Sequence, residues 1–126
     1  MERWVRLLYL LVAGGNLIPA LGAISAARLE AMYGVAIADE NLAVLLRHRA
    51  VMLGIVGALL WAAALRPVLR PIALTAGFAS MLSFIAFVLM ESSSNSQLIR
   101  VAGLDGLLCA LLAGAAAIDA RTRRAS

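Results

Sequence analysis

Four apolar stretches, each about 20 residues or longer, fill most of this chain of 126 residues. A helix rises 1.5 Å per residue, so about 20 residues cross the roughly 30 Å of hydrocarbon in a bilayer. A membrane-spanning strand would be about half as long and would alternate apolar with polar positions. These runs do not alternate. The expected fold is therefore all-α, a four-helix transmembrane bundle forming a single domain over residues 1–126, with helices at about 4–26, 42–65, 71–90 and 98–118.

Composition agrees with lipid as the solvent. Hydrophobic residues make up 63% of the chain and charged residues 14%, whereas a soluble domain carries roughly a quarter charged. All eleven basic residues are arginine. A pI near 10.6 could point to nucleic acid, but these arginines punctuate apolar runs and form no single basic face. No nucleic-acid partner is expected, and the arginines read as markers of topology. Arg3, Arg6, Arg66, Arg70, Arg121, Arg123 and Arg124 fall on one side of the spans, and Arg28, Arg47, Arg49 and Arg100 toward the other. Seven against four places both termini in the cytoplasm. The start also resembles a secretory signal, with Arg3 and Arg6 before an apolar run and small residues at Ala23, Ser25 and Ala26. That run is longer than a signal's apolar region, which favours a retained span.

The connections carry ordinary turn signals. Residues 27–41 form the longest, with Tyr33-Gly34 in its middle. Tyr33 is expected at the interface, and Gly34 permits a turn. Arg66-Pro67-Val68-Leu69-Arg70-Pro71 reads as a tight basic turn, with Pro71 opening the third span. Residues 91–97 are polar. The lone cysteine, Cys109, excludes an internal disulfide or a CxxC pair and reads as a small buried apolar residue.

The chemical clue lies in polar residues within the spans. Helical rise places Asn16 about 15 Å, Arg47 about 9 Å and Asp105 about 12 Å from the outer end. Arg100 and Glu91 lie nearer the rim. Small residues mark close helix contacts, and on that basis Ala13, Asn16, Ala20 and Ala23 share the inner face of the first span. Arg47 aligns with Gly54, Ala58 and Ala62, which points it inward. Arg49 falls on the opposite side and is expected to snorkel to the interface. Ala76, Ser80 and Ser83 form the small stripe of the third span, and Asp105 aligns with Ala102, Cys109 and Ala116 in the fourth. Asp105 and Arg47 are expected to pair. An outer-half cavity lined by Asn16, Arg47, His48, Arg100 and Asp105 would suit an anionic or polar amphiphile such as a lipid, because guanidinium groups donate paired hydrogen bonds to phosphate or carboxylate. The competing explanation is structural, an ion pair between Asp105 and Arg47 with Arg49 and Arg100 as interface anchors. One histidine supplies neither a two-histidine haem site nor a zinc site, so no metal or other cofactor is expected.

The stretch Met32-Tyr33-Gly34, then Leu46-Arg47-His48-Arg49-Ala50-Val51, Gly54, Arg66-Pro67, Arg70-Pro71, Asn95, Ile99-Arg100-Val101 and Asp105, resembles a group of small bacterial four-helix membrane proteins. The resemblance covers almost the whole chain and implies a multi-pass protein of the bacterial inner membrane. Some members carry the label phosphopantetheine adenylyltransferase. That chemistry needs a parallel-sheet nucleotide fold and an HxGH-type motif, whereas His48 is followed by Arg49 and Ala50. The resemblance thus implies fold and topology without an enzymatic activity, and it adds weight to Arg47, His48, Arg100 and Asp105.

Other classes fail at their central residue. A small multidrug transporter depends on a glutamate within its first helix, where this chain has Asn16. A disulfide-forming quinone reductase needs paired cysteines. A serine hydrolase would show a Gly-x-Ser-x-Gly elbow, and none is present. An accessory subunit of a larger membrane complex, a homo-oligomer, or a small proton-coupled transporter built on Asp105 remain the alternatives to a lipid-binding bundle.

Overall fold

The computed structural model describes residues 1–125. Five α-helices account for nearly all of them: α1 (Glu2–Ala20), α2 (Ala26–Tyr33), α3 (Glu40–Leu65), α4 (Arg70–Met90) and α5 (Ser96–Ala125). Four segments are long and apolar enough to cross a membrane: Glu2–Ile24, Glu40–Leu65, Pro67–Met90 and Ser96–Ala125. The chain is an all-α bundle with the composition of a multi-pass membrane protein.

Each helix ends for a local reason. Pro19 lacks the N–H that would bond the Gly15 carbonyl, and the chain tightens into a 3-10 turn at Leu21–Ile24 before Ser25 turns extended. The expected first span to residue 26 is therefore broken near its outer end. The expected long connection contains α2, which lays Leu29 and Tyr33, one turn apart, onto the bundle. Gly34 closes α2 with φ 62° and donates its N–H to the Glu30 carbonyl at 2.8 Å, the left-handed cap that favours glycine. Asp39 caps α3 by accepting the Asn41 N–H at 3.0 Å. Pro67 ends α3 by holding Arg66 extended. Asn95 caps α5 by accepting the Leu98 N–H at 2.9 Å, while its amide donates to the carbonyls of Tyr33 and Gly34 at 3.0 and 3.2 Å. That one side chain ties α2 to the start of α5.

α1 packs on α3 and α5, and α4 packs on the same two helices, so α1 faces α4 across one diagonal and α3 faces α5 across the other. α1 and α3 make the most extensive contact. A Cβ on Gly57 would stand 2.7 Å from Leu17 Cγ and 3.1 Å from the Ala13 carbonyl oxygen. The face of α3 that enters the bundle is Ala50, Gly57, Leu60, Ala63 and Ala64. On α4 it is Arg70, Ala73, Gly77, Met81 and Val88, so Ser83 is exposed. Small residues therefore mark the contact on both helices, on faces neighbouring those expected.

The buried apolar residues form two clusters. The larger runs from Val5 and Ala115 up to Met81 and Leu108, and the smaller groups Leu29, Tyr33 and Ala50 beneath α2. Arg70 joins the N-terminus of α1 to the C-terminal part of α5 through Glu2 and Asp119. The start of α1 and the last turns of α5 therefore lie at one end of the bundle, called the inner end below.

Candidate functional site

Three polar side chains from three helices lie near the boundary between the two apolar clusters. Asn16, on α1, is only 2% exposed. Its amide donates to the Val12 carbonyl at 3.0 Å and lies 3.9 Å from the Met81 sulfur across the bundle. It faces inward as expected, although a thioether is a weak acceptor. Asp105, on α5, is partly buried and has no hydrogen bond or ion pair within the described residues.

Arg49 is the inward arginine of α3. Its Nε donates to the Tyr33 hydroxyl at 3.3 Å. Its guanidinium carbon lies 4.1 Å from the Phe84 ring centroid and 5.5 Å from that of Tyr33. A cation over an aromatic face gains about 0.5–2 kcal/mol, more when water is excluded. Two rings from α2 and α4 thus hold the group in place. Its two terminal nitrogens have no hydrogen-bonding partner among the described residues. Asp105 is unpaired as well, so the arrangement leaves donors and an acceptor unbonded in this part of the bundle.

Three expectations are corrected. Arg47 is exposed and forms no ion pair with Asp105. The inward face of α3 follows Ala50 and Gly57, and two residues of helix, about 200°, turn Arg47 away when Arg49 turns in. Arg49 accordingly does not snorkel free to the interface. His48 and Arg100 are likewise exposed. Of the five residues expected to line one cavity, Asn16 and Asp105 lie in the polar layer. Arg47, His48 and Arg100 lie on the outside, and the clefts at this end are lined by other residues. One cleft, of about 490 Å³, lies between α4 and α5 around Val88, Glu91, Ser94, Ile99 and Ala102. Another, of about 430 Å³, lies beside α2 around Ile18, Gly22, Arg28 and Met32.

A second polar cluster, not expected, closes the inner end. Arg70 is 2% exposed. Its Nη2 and Nη1 bond both carboxylate oxygens of Glu2, and Nη1 also bonds Asp119 Oδ1 at 2.5 Å. Arg123 Nε bonds the other oxygen of Asp119 at 3.0 Å. The Tyr9 ring lies 5.7 Å from the Arg70 guanidinium carbon. Arg70 Nε and the Tyr9 hydroxyl are both buried without a hydrogen-bond partner among the described residues. A cleft of about 500 Å³ opens beside this cluster. In the sequence Arg70 reads as one more interface arginine of a basic turn. A signal was present in the seven-residue spacing of Glu2, Tyr9 and Asn16 on one helix and of Asp105, Leu112 and Asp119 on another, which aligns polar residues on facing stripes.

Compared with known proteins, the chain matches no family model, no curated protein and no solved structure.

Proposed function

We propose that this chain is a non-enzymatic multi-pass protein of the bacterial inner membrane that holds a polar or anionic amphiphile, a lipid, with its headgroup at Arg49. One observation carries the reading: a guanidinium inside the outer half of the bundle, clamped by Tyr33 and Phe84, keeps both terminal nitrogens unbonded. Arginine within a membrane is expensive and normally meets a partner or a wet cavity. Its planar pair of donors matches a phosphate or carboxylate. Asp105, unpaired near it, would accept a hydrogen bond from a headgroup hydroxyl or amine.

The test is Arg49→Gln. Wild-type protein extracted in mild detergent and weighed by native mass spectrometry should carry a co-purifying amphiphile that the variant loses. An unchanged complement of bound lipid in the variant overturns the proposal. A second reading, proton coupling at Asp105, has the unpaired carboxylate in its favour. Proton flux in proteoliposomes, abolished by Asp105→Asn, would select it.

A further inference from the structure

The inner end carries an unusual balance of charge. Seven arginines and two acids, Glu2 and Asp119, give it a net charge of +5, whereas four arginines and five acids give the remainder −1, together the chain's +4. Both acids of the inner end are consumed by one buried residue, since Arg70 bonds Glu2 and Asp119 together. Neither is left to pair with the other arginines of that end, apart from Arg123 on Asp119. Arg3, Arg6, Arg66, Arg121 and Arg124 are all exposed and have no hydrogen bond or ion pair among the described residues. They come from three separate segments: the start of α1, the turn before α4 and the last turns of α5.

The height of this belt is marked independently. Both tryptophans of the chain lie on the outside near this end, Trp4 at 65% and Trp61 at 49% exposure. Tryptophan collects at the boundary between hydrocarbon and headgroups. The two tryptophans thus mark a level near the five arginines at which headgroups would meet the bundle.

We infer that the inner end is an anionic-lipid binding belt, in which Arg3, Arg6, Arg66, Arg121 and Arg124 bind the phosphates of negatively charged phospholipids in the adjoining leaflet, and Arg70 makes this possible by sequestering the two carboxylates that would otherwise repel them. This property belongs to the folded bundle. Orientation during insertion depends on the number of basic residues flanking the spans and needs no partition of acids onto Arg70. It is also separate from Arg49, at the other end of the bundle.

The experiment titrates delipidated protein in a neutral detergent with equal amounts of phosphatidylglycerol and phosphatidylcholine of matched chains, counting bound lipids by native mass spectrometry. A detergent micelle imposes no topology, so the readout is binding alone. Each arginine near an anionic surface is worth roughly fivefold in affinity. Wild-type protein should prefer phosphatidylglycerol by about tenfold or more, given that a single headgroup meets only two or three of the five. Replacing all five by glutamine should bring the preference near parity. Arg28→Gln with Arg47→Gln and Arg100→Gln, the same change on the outer half, should leave it intact. If the fivefold variant is not monodisperse, Arg66→Gln and Arg121→Gln singly should each lower the preference by about twofold to fivefold. Raising salt toward 1 M, where the screening length falls to about 3 Å, should erode the preference of the unaltered protein. No preference in the wild type, a preference indifferent to salt, or an equal loss from the outer-half variant each overturns the inference.

Discussion

Replacing Arg70 with methionine should destabilise the bundle by about 3 kcal/mol, toward the lower end of what losing one partner of a buried ion pair costs. The reasoning starts from exposure. Arg70 is 2% exposed, Asp119 15% and Glu2 51%. Without the guanidinium, Asp119 would be left partly buried with only Arg123 to meet it, while Glu2 could turn to water. The penalty therefore comes mainly from Asp119. By the same logic Glu2→Gln should cost less than about 1 kcal/mol, because water screens an exposed partner, and Asp119→Asn about 2 kcal/mol, the range for a hydrogen bond to a charged group. The triple variant Arg70→Met, Glu2→Gln, Asp119→Asn removes the charges together and should recover to within about 1 kcal/mol of the parent, as buried charge networks do when replaced whole. The chain supplies its own reporter. Cys109 is the single cysteine and is buried, so a thiol-reactive fluorophore reads unfolding directly during titration with a denaturing detergent. A loss under about 1 kcal/mol in Arg70→Met, or a triple variant no more stable than Arg70→Met alone, would refute the view that Arg70 neutralises otherwise stranded carboxylates.

Glycines separate contact from mere smallness. Gly57→Ala would push a methyl against Leu17 and the Ala13 carbonyl oxygen and should cost about 1–3 kcal/mol by forcing α1 and α3 apart. Gly114→Ala meets nothing within 4 Å and should gain up to about 1 kcal/mol from helix propensity. The same denaturing titration checks both, and a Gly57→Ala protein as stable as the parent would remove that contact from the account. Topology is checked in a Cys109→Ser background. Ser93→Cys should react with an impermeant thiol reagent added to intact cells, and Ala125→Cys only after the inner membrane is opened; the reverse pattern inverts the orientation.

The four spans and most of their turns were legible in the sequence, because hydrocarbon thickness fixes how long an apolar run must be. Hydrocarbon thickness sets helix length, and the cost of burying a charge pushes arginines to the ends, so runs such as Pro71–Met90 declare themselves by length alone. Proline and glycine at Pro67, Pro71 and Gly34 mark turns through their own backbone limits. Asn16 could be oriented because Ala13 and Ala20 flank it on one face. What could not be read was which side of α3 turns inward. Lipid is as apolar as the packed interior, so a membrane helix carries little contrast between its faces. Small residues at Gly54, Ala58 and Ala62 pointed Arg47 inward, while contact through Ala50, Gly57 and Ala64 turned in Arg49. The role of Arg70 was beyond sequence reasoning for a different reason. Its partners stand 68 and 49 residues away along the chain, and only the antiparallel return of α5 beside α1 brings Glu2 and Asp119 to the same guanidinium. The sequence by itself determined that there would be four long apolar helices and, to within a few residues, where most of their ends would fall. Tertiary structure alone decided which charges meet, because that depends on helix rotation and pairing, to which a uniformly apolar solvent is indifferent.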